Sequence, residues 1–312
     1  MRMDDLKVFM GNSNRPLGEA ICRHLGIRPG DVHISKFSND NIFVQLNESV
    51  REKDVFIIQS LYPNPSEGVL ELMLLCDAAR SASARRITAV IPHYSYARSD
   101  KKDKPRISIA ARLIADVLVT SGAHRFVTMN LHSDQVRGFF SVPTDHLFSE
   151  PVICEYLKGL DLSRTTALLD LGQEKRQGNF AKRLSMPLAI INKERISDTE
   201  VSIKHFIGDV KGRDVILFED EISRGTSLLA AVRRMKQEGA RDVRIVCTHG
   251  LFCGPALDYI RDEAVREVIT TDTVNFPPER RIPKITVLSV APLFAEAIRR
   301  IHGGQSVSVL FE

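Results

Sequence analysis

Short apolar runs alternate with longer mixed stretches along the chain. The runs DVFIIQS at 54–60, RITAVIP at 86–92 and RFVTMN at 125–130 have strand composition. So do ALLDL at 167–171, PLAIIN at 187–192, DVILFED at 214–220, DVRIVCTH at 242–249 and VREVITTD at 265–272. Between them, GVLELMLLCDAARSA at 68–82, ISIAARLIADVLVTSGA at 107–123 and TSLLAAVRRMKQEGA at 226–240 are helix-like. The last has apolar residues at helical spacing and a stop at Gly239. Strand–helix alternation predicts α/β layers with parallel sheets. Near-continuous apolar strands predict sheets covered by helices on both faces. The pattern runs once before about residue 148 and once after, with Pro143 and Pro151 punctuating VPTDHLFSEPVICEYL between them. We therefore expect an N-terminal α/β domain over 1–148 and a C-terminal α/β domain over 149–312.

Length and composition sharpen this picture. The chain has 312 residues, 43% of them hydrophobic, enough for about two domains of ordinary size. Forty-three basic residues against 39 acidic leave a net charge of +4. So small a surplus argues against nucleic-acid binding, which usually shows a clustered basic stripe. It is compatible with small anionic substrates. The five cysteines form no C-x-x-C pair, which argues against a zinc site or a disulfide framework and for a reducing, cytoplasmic setting. The opening MRMDDLKVFMGNSN does not read as a signal peptide, and no run approaches the ~18 apolar residues that would span a bilayer.

The segment VILFEDEISRGTSLL at 215–229 concentrates candidate chemistry. An apolar strand stops at Glu219, Asp220 and Glu221, and a helix begins after a loop of small residues. In parallel sheets, ligands sit beyond the carboxyl ends of strands. A helix N-terminus adds unpaired N–H groups and partial positive charge. Gly225 permits close backbone approach, and Ser223, Thr226 and Ser227 add hydroxyl donors, a combination suited to a phosphate monoester. The acids would repel phosphate, so they are expected to meet sugar hydroxyls or a shared divalent metal. Locally the same residues also fit an ordinary strand-to-helix turn with solvated acids.

Two further sites are expected on similar grounds. RSDKKDKPR at 98–106 holds five basic and two acidic residues, +3 in nine positions, and could offset polyphosphate charge. By itself it also fits a solvated charged loop. His132 follows the strand at 125–130, where a ligand could reach it, although a single His near a strand end also fits an ordinary polar residue.

The strand–acid–acid–small-residue loop resembles the phosphoribosyl-diphosphate motif of type I phosphoribosyltransferases and their relatives. KFSNDNIFVQLNESVREKDVFIIQS, AVIPHYSYARSDKKDKPR, NLHSDQVRGFFSVPTD, INKER, THGLFCGPA and LFAEAIRRIHGGQSVSVLF narrow this. With them the chain resembles the ribose-phosphate diphosphokinase (phosphoribosyl diphosphate synthetase) family in register from about residue 7 to 312. The resemblance implies an α/β fold of two similar parallel-sheet domains, each of type I phosphoribosyltransferase-like fold. It implies transfer of diphosphate from ATP to ribose 5-phosphate with Mg2+, in a homohexamer built from dimers.

Carried over residue by residue, the resemblance implies that Phe37, Asn39, Asp40 and Asn41 contact adenine, with reach from a neighbouring subunit. Arg98, Ser99, Asp100, Lys101 and His132 would complete the ATP site. His132 and Asp170 would be metal-associated, and Lys193 and Arg195 catalytic. Arg195, Glu219, Asp220, Ser223, Arg224, Gly225, Thr226 and Ser227 would hold ribose 5-phosphate. The chain departs from the family's pattern at Asn41, Ser99, Asn130, Ser141, Ser223 and Arg224. A non-catalytic regulatory paralogue, a phosphoribosyltransferase and a variant with another acceptor or donor therefore remain alternative readings.

Overall fold

The computed structural model describes residues 3–171, 174–195 and 201–311. Two compact units emerge: Met1–Phe148 with Thr273–Asn275 and Ser289–Glu312, and Ser149–Asp272 with Phe276–Leu288.

The first unit opens with β1 (Leu6–Met10), α1 (Arg15–Leu25) and the strands β2 (Val32–Lys36) and β3 (Ile42–Leu46). It continues through β4 (Asp54–Ile58), α2 (Pro65–Ser81), β5 (Arg86–Ile91), α3 (Ala110–Thr120), β6 (Arg125–Met129) and β7 (Thr144–Leu147). Its five-stranded sheet has the order β1-β4-β5-β6-β7, with every pairing parallel. All five residues of β4 are buried, as a strand covered on both faces requires. The strands β2 and β3 form a separate antiparallel hairpin.

The second unit contains α4 (Glu150–Lys158), β8 (Thr165–Asp170), α5 (Glu174–Arg183), β9 (Leu188–Arg195) and β10 (Val201–Ile207). It continues with β11 (Asp214–Ile222), α6 (Thr226–Gln237), β12 (Val243–Gly250), α7 (Ala256–Arg261), β13 (Val265–Thr271) and β14 (Ile285–Leu288). The seven strands run in the order β10-β9-β8-β11-β12-β13-β14. The β10 edge is antiparallel to β9, and the remaining pairings are parallel. Side chains alternate across β11. Val215 and Leu217 enter one core with Leu228, Ala231, Val232 and Met235 of α6. Ile216 and Phe218 enter the other with Ile153, Leu157 and Phe180. The Phe218 ring stacks on Phe180 at 4.5 Å, and burying such a ring contributes about 2–3 kcal/mol.

The C-terminal segment corrects the expected division at 149–312. Residues 289–312 belong to the first unit, where α8 (Ala291–His302) packs on α1. Chemistry explains the assignment. Phe294, Ala297 and Ile298 are fully buried, and Arg299 donates to the His24 carbonyl at 3.0 Å. His302 hydrogen-bonds the fully buried Asp54 carboxylate at 2.8 Å. Arg86 grips the same carboxylate with two nitrogens, at 2.8 and 2.5 Å, and reaches the Ile301 carbonyl at 3.1 Å. A buried carboxylate needs such partners, and those residues sit too far apart in the chain to be paired by periodicity.

Candidate active site

In the second unit, the expected residues gather at the carboxyl ends of three neighbouring strands. Asp170 ends β8, which lies between β9 and β11. The register pairs Leu168 with Leu217, so two residues further along each strand Asp170 is level with Glu219. On the other side Asp170 pairs with Ile191, two residues before Lys193. Lys193 and Arg195 fall on the backbone of β9, and their side chains lie outside the described residues. Of the stretch DLGQEKRQGN at 170–179, which runs on from β8, Gly172 and Gln173 also lie outside the described residues.

The phosphate-type loop forms where β11 meets α6. Gly225 takes φ +76, a left-handed conformation that a Cβ disfavours. Backbone groups fix the loop. The N–H groups of Leu251 and Phe252 donate to the Ile222 carbonyl at 3.0 and 3.1 Å, and Cys253 donates to the Ser223 carbonyl at 2.9 Å. Thr226 and Ser227 then occupy the first turn of α6, where amide donors lack helical partners. Glu219, Asp220 and Glu221 are half-buried, and the Glu221 amide donates to Asp220 Oδ1 at 2.8 Å. Burial, and after it the charges of Glu219 and Asp220, push the Cys247 thiol up to about 12, although its hydrogen bond to Thr270 acts the other way. Cys247 therefore stays protonated and is no nucleophile. This end of the sheet offers charge and hydrogen bonds.

In the first unit, Ser95–Arg98 forms a 3-10 turn after β5, and the basic loop leads from it into α3. Lys101, Lys102, Lys104 and Arg106 are exposed, as an anion-facing loop requires. Ser99 closes the loop at its root. Its hydroxyl accepts from the Ala110 amide at 3.3 Å and donates to the Ser108 carbonyl at 3.3 Å. The Asp100 carboxylate accepts a 2.5 Å hydrogen bond from Ser133, the residue after His132. Sequence reading missed Ser133, and its position beside His132 was the available signal. The His132 turn is also tied to β7, because the Leu131 amide donates to His146 Nε2 at 3.0 Å.

Phe37, Asn39, Asp40 and Asn41 lie at the tip of the β2–β3 hairpin. Phe37 is 57% exposed and meets Phe43 edge-on at 5.7 Å. The Phe37 amide donates to the Asn41 carbonyl at 2.9 Å, and Asp40 turns the chain at φ +64. Among the described residues, no group of three or more His, Cys, Asp or Glu side chains is placed to hold a metal ion.

Known proteins are similar to this chain over nearly its whole length. Residues 6–122 match the N-terminal domain of ribose phosphate pyrophosphokinase, and 201–312 match the phosphoribosyl synthetase-associated domain. A ribose-phosphate pyrophosphokinase of Deinococcus radiodurans is 50% identical over 316 residues, covering 99% of each chain. The chain belongs to the ribose-phosphate pyrophosphokinase family. A putative ribose-phosphate pyrophosphokinase of Streptomyces coelicolor is 47% identical over 312 residues, covering 99% of this chain and 98% of that one. The crystal structure of phosphoribosylpyrophosphate synthetase from Mycobacterium smegmatis superposes with a TM-score of 0.90 at 37% identity, covering 96% of this chain and 99% of that one. That match establishes the α/β architecture as the one such enzymes use.

Within a ribose-phosphate pyrophosphokinase, three of the six departures from pattern have local explanations. Ser99 has a structural task at the start of α3. Asn130 is 7% exposed and takes φ +40, a conformation Asn tolerates better than most residues. Ser223 contributes a carbonyl to the loop backbone, which any residue could supply. Nothing in the structure explains Arg224, whose side chain is exposed. No helix among the described residues is long and apolar enough to cross a membrane.

Proposed function

We propose that this enzyme transfers diphosphate from Mg-ATP to ribose 5-phosphate, giving 5-phosphoribosyl 1-diphosphate and AMP for nucleotide biosynthesis. The sugar 1-hydroxyl oxygen attacks the β-phosphorus, the bond from that phosphorus to the α–β bridging oxygen breaks, and the hydroxyl proton leaves to water. One observation carries the reading: 50% identity to a named ribose-phosphate pyrophosphokinase across 99% of both chains.

Such chemistry asks a protein for positioning and charge stabilisation. The loop at 223–227 takes the sugar phosphate on backbone amides and hydroxyls, and Glu219 and Asp220 take ribose hydroxyls. Lys193 and Arg195 stabilise charge on the transferring group, with Arg195 also meeting the sugar ester. Phe37, Asn39, Asp40, Asn41, Arg98, Ser99, Asp100, Lys101 and His132 form the nucleotide side. His132 and Asp170 would each be metal-associated, and Mg2+, when bound, would neutralise triphosphate charge. The enzyme works in the cytoplasm as a homohexamer built from dimers.

Incubation of purified protein with Mg-ATP and ribose 5-phosphate should yield AMP and the diphosphorylated sugar in equal amounts. A second reading, a non-catalytic regulatory paralogue, draws support from the neutral Asn41, Asn130 and Ser141 at positions where acids are typical. It predicts no AMP and no heat on titration with Mg-ATP. AMP formation would discard it.

A further inference from the structure

We propose that Ser133 is a positioning residue for the nucleotide loop, holding residues 98–106 beside the His132 turn by its hydrogen bond to Asp100. The inference rests on the nucleotide role assigned above to that loop. The loop is poorly suited to ordering itself. Lys101, Lys102, Lys104 and Arg106 are all exposed, and clustered like charges favour extended, disordered chain. Arg106 takes φ +65, a region that side-chain-bearing residues enter at a cost.

Anchors must offset this, and the structure provides them at the root of the loop. Ser99 ties the first residues to Ser108 and Ala110 on the same side. Ser133 makes the connection to a different strand. Its Oγ lies 2.5 Å from Asp100 Oδ2, the length of a charge-assisted O–H···O⁻ bond. The two residues are 33 positions apart and follow β5 and β6, which pair directly. The bond therefore joins the two stretches assigned to nucleotide, 98–101 and 132, into one piece.

On this account Asp100 serves the nucleotide side by ordering the loop through Ser133, and its cationic neighbours face the triphosphate. A carboxylate facing the triphosphate would repel it, whereas one turned to a hydroxyl does not. Each residue ordered in advance spares binding the backbone entropy of ordering it. Without the bond, nucleotide binding itself would have to order the loop.

The experiment compares wild type with Ser133→Ala, Ser133→Thr, Asp100→Ala and the Ser133→Ala/Asp100→Ala double variant. Steady-state kinetics are read for both substrates, and trypsin nicking at Lys101, Lys102 and Arg106 is timed by mass spectrometry. A hydrogen bond to a charged group predicts about a tenfold rise in KM for Mg-ATP in Ser133→Ala. The KM for ribose 5-phosphate should stay within about twofold, and nicking should quicken about tenfold by the same reckoning. Ser133→Thr, which keeps the hydroxyl, should restore both, and the double variant should be no worse than either single one. Wild-type nicking in Ser133→Ala, additive losses in the double variant, or equal rises in both KM values would overturn the proposal. Should wild type form no AMP, the reading of the reaction fails, and the nicking rates of the four variants still decide whether the Ser133–Asp100 bond holds the loop.

Discussion

The two units carry their candidate ligand loops on the same platform, the carboxyl ends of parallel strands, and secure them with different mixtures of bonds. In the second unit the 223–227 loop hangs on main-chain bonds from Leu251, Phe252 and Cys253, together with the left-handed Gly225. In the first unit the root of the 98–106 loop adds side-chain bonds, from Ser99 and the Asp100–Ser133 pair, to main-chain bonds between Ser99 and Tyr96 and between Ala111 and Ser99. The β1–α1 turn of that unit follows the same habit, with Glu71 and Gln59 accepting from the amides and side chains of Asn12 and Ser13. A loop held by its main chain leaves its side chains open to substitution, so Ser223 can depart from pattern without loss of shape. A loop held by side chains changes its mechanics with each replacement.

The comparison can be broken most forcefully at Lys193. If the second unit supplies the cations that meet developing charge, Lys193→Ala should lower kcat on the order of a hundredfold or more while shifting either KM much less. Unchanged turnover would remove Lys193 from that role. A smaller effect tests the main-chain loop. Gly225→Val forces a β-branched residue to φ +76, at a cost of about 1–2 kcal/mol. The KM for ribose 5-phosphate should rise about tenfold, and that for Mg-ATP should hold. A rise confined to Mg-ATP would reverse the assignment of the two loops.

The mildest test lies at the far end of β11. Hydrogen bonds from Arg241, 2.7 and 2.6 Å long, hold the buried Asp214 carboxyl below the usual carboxylate range. A lowered pKa in the folded state contributes stability above the unfolded value, near 4, and that contribution fades as pH falls through the folded value. Arg241→Ala should therefore lower the urea midpoint at pH 7, and the gap to wild type should close on acidification below about pH 4. Both KM values should stay at wild-type levels. A gap that widens in acid would contradict the sign.

Much of the architecture was readable because it is written locally. The expected strand at 214–220 is β11, Asp214–Ile222, and the helix expected at 226–240 is α6, Thr226–Gln237, ending short of Gly239. Apolar alternation and turn residues act over a few positions, so they survive in the sequence. The strands β1, β2, β3, β7, β10 and β14 were not expected: β1, β7, β10 and β14 are the edges of the two larger sheets, and β2 and β3 form a hairpin of their own. Half of the candidate site was readable for the same reason. Glu219, Asp220 and Gly225 are contiguous, and a strand end before a helix specifies where they sit. Ser133 was not, because its meaning depends on a carboxylate 33 residues away.

The sequence by itself determined two parallel α/β layers, the phosphate-type turn between β11 and α6, and the family to which the chain belongs. Tertiary structure decided that α8 joins the first unit, that Asp54 is satisfied by Arg86 and His302, and that Ser133 holds Asp100. The division has a physical reason. Backbone preference and periodicity are set by neighbours in the chain, whereas a buried carboxylate or a charged loop takes whichever partner packing brings within reach, here up to 248 residues distant.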